Sequence, residues 1–241
     1  MGNVGSGKTL SVVRDIALNK DGRITYSNIQ TKGIKNNIVI NRDMIIKKVE
    51  VGVKKNGEII YKKILNREFW EDAIKKHKGI NIVLDEIQTL LNSRRAMSKD
   101  NIIMTDFLSL IRRIMGSANA AGDLIMISQL ERRIDVIAKE MCNHTRFHIC
   151  HFMKSCNSCL YTWQENNEMP EQLRICPKCG GFKVSIHSHR IEVWHFATVD
   201  DFVRWKYYGR KTYYRHYFII DVVDFFPRYD TLQWDNLLSE V

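Results

Sequence analysis

The eight residues GNVGSGKT, Gly2 to Thr9, constrain this chain more than any other stretch. They satisfy Gly-x-x-x-x-Gly-Lys-Ser/Thr, the pattern of a phosphate-binding loop. Gly2, Gly5 and Gly7 permit positive φ, so that backbone N–H groups can curl around phosphate oxygens. Asn3, Val4 and Ser6 fill the positions between them. Lys8 brings a point charge toward the β- and γ-phosphates, and the Thr9 hydroxyl can ligate Mg²⁺. The following LSVVRDIALN predicts a helix whose N-terminus also faces the phosphates. ATP and Mg²⁺ are therefore the expected ligands. Such a loop normally joins a buried strand to a helix, yet only Met1 precedes it here.

The 241 residues suffice for one large domain or two. They carry a net charge of +10, from 37 basic and 27 acidic residues, which favours an anionic partner such as DNA or an anionic membrane face. A well-solvated surface would account for the charge equally well. No apolar run reaches the roughly 18–20 residues that span a bilayer. HYFIIDVVDFF, with its two aspartates, reads as a strand.

Strand and helix signals alternate behind the loop. GRITYSNIQ reads as a strand, and IKNNIVINRDM as a loop or short strand. KVEVGVKKNGEIIYKKILN reads as a basic inserted hairpin over 49–64, with Asn56-Gly57 offering a type I′ turn. NREFWEDAIKKHKG predicts a helix capped by Asn66. INIVLDEIQTLL begins as a continuous apolar run, suited to a strand buried on both faces of a parallel sheet. DNIIMTDFLSLIRRIMGSANA has helical spacing, DLIMISQL reads as a short buried strand, and RRIDVIAKEMC as a helix. The alternation implies an α/β fold.

Asp85 ends the apolar strand, where a second Mg²⁺-coordinating carboxylate belongs in a P-loop ATPase. Glu86 beside it is placed to activate an attacking water, although two exposed acids could simply close a strand. Gln129 ends the DLIMISQ strand, a position suited to sensing the γ-phosphate. Arg94, Arg95, Arg112, Arg113, Arg132 and Arg133 are candidates for an arginine finger. Arg133 is preferred because it closely follows Gln129.

GNVGSGKTLSVV, YSNI, IVLDEIQTLLNSR and IRRIMGSANAAGDLIMISQLERRIDVIAKE together resemble the zonula occludens toxin-like (Zot-like) ATPases. These occur in filamentous phages and, in related forms, in archaeal viruses and mobile elements. The resemblance covers about residues 2–146 and includes FPRYDT, Phe226 to Thr231. It implies a RecA-like P-loop NTPase of the FtsK/HerA branch, a parallel sheet flanked by helices. In that branch Lys8 and Thr9 serve phosphate and Mg²⁺, Asp85 and Glu86 form the Walker B pair, and Gln129 is the sensor. The resemblance also implies a homo-oligomeric ring, a hexamer by preference, acting on DNA. The phage members' membrane-spanning segment has no counterpart here. The branch places its first strand between the Walker B and sensor strands, so that strand is expected to be encoded upstream of Met1.

Cys156-x-x-Cys159 and Cys176-x-x-Cys179 stand sixteen residues apart, the spacing of a zinc ribbon that gathers four thiolates into a tetrahedron. Four protein ligands to Zn²⁺ would leave no open position, so the metal would be structural. Cys142 and Cys150 are left over as buried thiols, and His144, His148 and His151 suggest a polar strand. The module could present Lys154, Arg174, Lys178 and Lys183 to DNA or to a protein. Beyond it, YYGRKTYYRHY mixes rings and cations as nucleic-acid grooves do, or forms the outer strands of a β-rich lid.

The expected organisation is an ATPase core over 1–149, a zinc ribbon over 150–190, and a β-rich aromatic segment over 191–241 that completes the ATPase domain. The leading function is an ATP-driven DNA motor for packaging, extrusion or transfer of a viral or mobile-element genome. The alternative is an ATP-dependent assembly or structural switch that grips a virion or membrane component. A small-molecule kinase fits less well, since no acceptor-site lid is evident. Either favoured reading places the protein in the cytoplasm, with any membrane association made through partners.

Overall fold

The computed structural model describes residues 1–3, 5–77, 79–90, 99–115, 122–129, 136–169 and 173–229. They form two compact units. One contains Ile16–Ile127 and residues 136–141; the other contains Met1–Asp15, residues 128–129 and Cys142–Tyr229.

The first of these units is built on a parallel sheet. Its strands β1 (Ile24–Ser27), β2 (Asn37–Val39), β5 (Ile80–Leu84) and β6 (Leu124–Met126) lie in the order β2-β1-β5-β6. Ile80, Ile82, Val83 and Leu84 are buried, as the unbroken apolar run predicts for a strand covered on both faces. Helix α3 (Arg67–His77) carries Trp70, Ala73 and Ile74 into the core, and Asn66 caps it by accepting from the Phe69 N–H at 3.5 Å. Helix α5 (Lys99–Met115) adds Met104, Phe107, Leu108 and Ile111, and the Trp70 and Phe107 rings meet at 5.0 Å.

Strands β5 and β6 are immediate neighbours, with Ile82 opposite Leu124 and Leu84 opposite Met126. The slot where the resemblance places a further strand is closed in this sheet. Strand β6 also stops at Met126, so Gln129 lies three residues past its end rather than on it.

Strands β3 (Ile46–Val53) and β4 (Ile59–Leu65) pair as the expected hairpin. Its connection is not a type I′ turn. The Gly57 N–H donates to Lys54 O, the Lys54 N–H donates to Glu58 O, and only Gly57 (φ 85°) has positive φ. A longer loop with glycine in the left-handed position relieves the crowding that Asn56 would meet there.

The other unit is an antiparallel sheet in the order β10-β9-β7-β8, made of β7 (Thr145–Cys156), β8 (Thr162–Asn166), β9 (Val184–Phe196) and β10 (Arg215–Ile219). β10 ends at Ile219, and Val223–Arg228 form a 3₁₀ turn, so HYFIIDVVDFF is not one strand. A helix, α7 (Val199–Tyr208), separates β9 from β10. Thr198 caps its start by accepting from the Asp201 N–H, and Gly209 (φ 64°) ends it. Phe147, Phe196 and Phe202 form the buried centre of this unit, packed by Trp194 and Trp205.

Candidate functional site

The phosphate loop belongs to the antiparallel unit and leads into α1 (Lys8–Leu18). Lys8 is nearly buried. Its ammonium turns back onto the loop, donating to Gly2 O at 2.8 Å, Asn3 O at 2.9 Å and Ser6 Oγ at 3.3 Å. Phosphate oxygens could replace these neutral acceptors with charged ones and make stronger bonds. At Gly5, φ 74°, a Cβ would meet nothing within 4 Å among the described residues, so the backbone conformation alone calls for glycine there. The other two glycines are closed in by the sheet: a Cβ on Gly2 would lie 2.6 Å from His148 O, and one on Gly7 2.4 Å from Ile191 Cδ1. Both positions need glycine for close approach as well as for φ.

Residues of the same unit anchor the start of α1. Ser11 Oγ lies 3.0 Å from His148 Nε2, and the Arg14 guanidinium binds both oxygens of Asp221 at 2.9 and 3.1 Å. His148 is fully enclosed. Burial, followed by the N-terminal ammonium and Arg146, holds its imidazole well below the usual titration range. Val4, Arg94, Arg95, Arg132 and Arg133 lie outside the described residues, while Arg112 and Arg113 occupy the last turn of α5.

Asp85 and Glu86 follow β5 in the parallel unit, both half-buried. Asn28, just past β1, accepts the Asp85 N–H through its side-chain oxygen at 2.7 Å and donates its amide to Asp85 O at 3.0 Å. This two-way clamp fixes the peptide that carries the carboxylate. The Asp85 carboxylate in turn accepts the Glu86 N–H at 2.8 Å, which supports Glu86 in a left-handed conformation, φ 53°. A non-glycine residue held there is strained, and such strain gathers at functional sites. The Gln88 amide donates to the Glu86 carboxylate. The stretch YSNI carries part of the resemblance, but nothing local in it assigns a role to Asn28. The available signal is an amide placed directly after β1, the strand that neighbours β5.

The four cysteines of the paired motif come together as expected. Their sulfurs all lie within 4.8 Å of one another, and Cys156–Cys179 and Cys159–Cys176 are each 3.6 Å apart. None is in a disulfide. Two turns of the same design carry them. The Leu160 N–H donates to Cys156 O and the Gly180 N–H to Cys176 O, each at 2.9 Å. Leu160 (φ 59°) and Gly180 (φ 70°) both adopt the left-handed conformation this turn requires. A Cβ on Gly181 would stand 3.3 Å from Cys179 Sγ, so glycine leaves the sulfurs room. Sulfurs bonded tetrahedrally to Zn²⁺ at about 2.3 Å stand roughly 3.8 Å apart, and this cluster fits that ion.

Around the cluster, one expectation fails. Lys154 is not presented to a partner: it is 6% exposed, and its ammonium donates to Glu165 Oε2 at 2.7 Å and Leu173 O at 2.6 Å. A lysine at an inward position of β7 needs this carboxylate to offset its desolvation. Arg174, Lys178 and Lys183 are exposed. Cys150 is buried, which pushes its thiol up to about 11, and Cys142 is half-buried. His144, His148 and His151 lie on or beside β7 without forming a second metal cluster among the described residues. His151 donates instead to Glu192 at 2.7 Å, and Gln164 satisfies its other nitrogen at 3.2 Å.

Among the described residues, no helix is long and apolar enough to cross a membrane. No curated protein matches the sequence. Among solved structures, the chain is similar to the crystal structure of the N-terminal domain of zonular occludens toxin from Neisseria meningitidis. The two share 16% identity with a TM-score of 0.48, over 95% of this chain and 96% of that one. The family described as Zonular occludens toxin (Zot) matches residues 1–157, a span that holds the phosphate loop, Asp85, Glu86, Gln129 and the first cysteine of the cluster. This chain belongs to the Zonular occludens toxin family.

Proposed function

We propose that this chain is a Mg²⁺-dependent ATPase that works as a DNA motor in a homo-oligomeric ring. The observation that carries the reading is Lys8, whose ammonium donates to the oxygens of Gly2, Asn3 and Ser6 in a glycine loop and which stands at the start of a helix. That arrangement suits a polyphosphate. In this reading Lys8 and the loop N–H groups bind ATP, and Thr9 and Asp85 hold Mg²⁺. Glu86 orients and deprotonates water, Gln129 senses the γ-phosphate, and Arg133 of a neighbouring copy stabilises the transition state. ATP supplies the phosphoanhydride to be cleaved and Mg²⁺ the charge that neutralises its oxygens.

The net charge of +10 and the exposed Arg174, Lys178 and Lys183 support DNA as the substrate moved. Zn²⁺ on Cys156, Cys159, Cys176 and Cys179 would hold the tip of the antiparallel sheet and take no part in hydrolysis. The test is ATP hydrolysis with and without double-stranded DNA. Turnover that rises with DNA and disappears in Glu86→Gln is the expected result. Turnover indifferent to DNA would favour an ATP-driven assembly switch, and no turnover at all would overturn the assignment.

A further inference from the structure

His148 touches the phosphate loop with both its backbone and its ring. Its N–H donates to Met1 O at 3.0 Å, and its carbonyl oxygen is packed against the α-carbon of Gly2. Its ring reaches the loop's other end at Ser11, in the first turns of α1, where the Nε2–Oγ distance is 3.0 Å.

The hydrogens along this chain can be assigned. Ser11 Oγ donates its one hydrogen to Lys8 O at 2.8 Å. Toward His148 the hydroxyl can then only accept, so the proton on the ring sits on Nε2. Nδ1 carries a bare lone pair, and it is buried with no hydrogen-bond partner among the described residues. A protonated ring would bury an unpaired N–H at that position, beside Lys8, Arg146 and the N-terminal ammonium, the charged groups that face it. The neutral Nε2–H form is the one this pocket holds.

We propose that His148 is a positioning residue for the phosphate loop. Its Nε2–H fixes Ser11, Ser11 fixes the Lys8 carbonyl, and the Lys8 backbone is thereby set so that its ammonium and the first N–H groups of α1 meet nucleotide phosphate. The proposal rests on the reading of Gly2–Thr9 as a nucleotide loop. It adds that the antiparallel sheet, through a histidine 140 residues from Lys8 in sequence, sets the loop's geometry.

The experiment is equilibrium binding of a fluorescent ATP analogue with Mg²⁺ to the full chain, with thermal melting as a check on folding. Ser11→Ala, which removes both bonds of the hydroxyl, and His148→Leu, which removes the one from the ring, should each weaken binding about tenfold or more. The double variant should bind no worse than the weaker single, because both changes break one relay. His148→Gln, whose amide N–H can stand where Nε2–H stood, should recover most of the loss. If His148→Leu does not fold, Ser11→Ala and His148→Gln still decide the matter.

Wild-type protein that binds and Lys8→Ala that does not would establish the nucleotide loop. With that in hand, unchanged affinity in Ser11→Ala, additive losses, or no recovery in His148→Gln would overturn the positioning role alone. If wild type and Lys8→Ala bind equally, or neither binds, the loop assignment falls and the His148 proposal falls with it.

Discussion

The cysteine cluster and the phosphate loop are both tight glycine-bearing turns with a known sequence signature, but they are held in different ways. Each cysteine knuckle is closed by bonds within six residues, from Cys156 to Tyr161 and from Cys176 to Gly181. The spacing Cys-x-x-Cys therefore specifies its own geometry. The phosphate loop draws its support from far along the chain: His148 at Gly2 and Ser11, Ile191 at Gly7, and Asp221 at Arg14. Its motif announces the chemistry and says nothing of the scaffold. Motifs closed by local bonds can be read through to their geometry, while motifs braced by remote elements can be read only as far as their residue types.

The largest effect should come from removing the metal expected at the cysteines. We expect one Zn²⁺ per chain, with a binding free energy on the order of 10 kcal/mol, as in small zinc domains. Chelation or Cys156→Ser should raise hydrogen exchange over about residues 150–190 and leave the parallel unit protected. Elemental analysis finding no zinc would overturn the ligand assignment. Loss of protection throughout the chain would show that this motif is less self-contained than its local bonds suggest.

Next in size is Gly7→Ala, the matching test on the loop. A methyl there meets Ile191 at 2.4 Å and holds an L-residue at φ 80°. Nucleotide binding should be lost, and the chain should be destabilised by about 2–4 kcal/mol from overpacking plus backbone strain. Ile191→Ala in the same chain should return part of the stability by clearing the contact. If Ile191→Ala returned none, packing on β9 would not be what braces the loop.

Acidification should act on the antiparallel unit through His195, which lies at β9. Its Nδ1 meets His144 at 2.8 Å, and its Nε2 is buried without a partner among the described residues. Burial first, then Arg146, His144 and Arg215, lowers its pKa to about 4. The unfolded chain takes up this proton near pH 6.5. The stabilisation is therefore complete above about pH 6.5 and is lost as pH falls through about 4. The melting temperature should drop across that window, and His195→Gln should flatten the drop. Equal slopes in wild type and variant would remove His195 as the cause.

Much of the fold could be read from residues alone, for reasons that differ by element. Ile80–Leu84 is apolar at every position but one and could be recognised as a doubly covered strand, and Asn66 with late lysines marked α3. Helix α7 was harder, since its aromatic and basic residues resemble the strands on either side. The only local signals were Thr198 three residues before Asp201, and Gly209 at the end. The direct pairing of β5 with β6 was not legible, because parallel neighbours are chosen by contacts across the whole sheet. The Asn28 clamp escaped for the same reason: its partner is 57 residues away.

Asn28 also gives the smallest effect and the finest test of the contrast. Asn28→Ala removes two hydrogen bonds to the Asp85 peptide, at 2.7 and 3.0 Å, and leaves that N–H and carbonyl to find water in a half-buried turn. The expected loss of stability is about 1–2 kcal/mol. The effect on turnover should be larger than on affinity, because the loop that would hold the nucleotide is untouched while the carboxylates that would meet Mg²⁺ and water lose their anchor. A shift of the Asp85 carboxylate by even a fraction of an ångström should lower kcat with little change in KM. Asn28→Asp separates the two halves of the clamp: a carboxylate can still accept the Asp85 N–H but cannot donate to Asp85 O. Its activity should fall between wild type and alanine. If Asn28→Ala hydrolyses ATP at the wild-type rate, the clamp is structural only, and the Asp85–Glu86 turn is as self-sufficient as the cysteine knuckles.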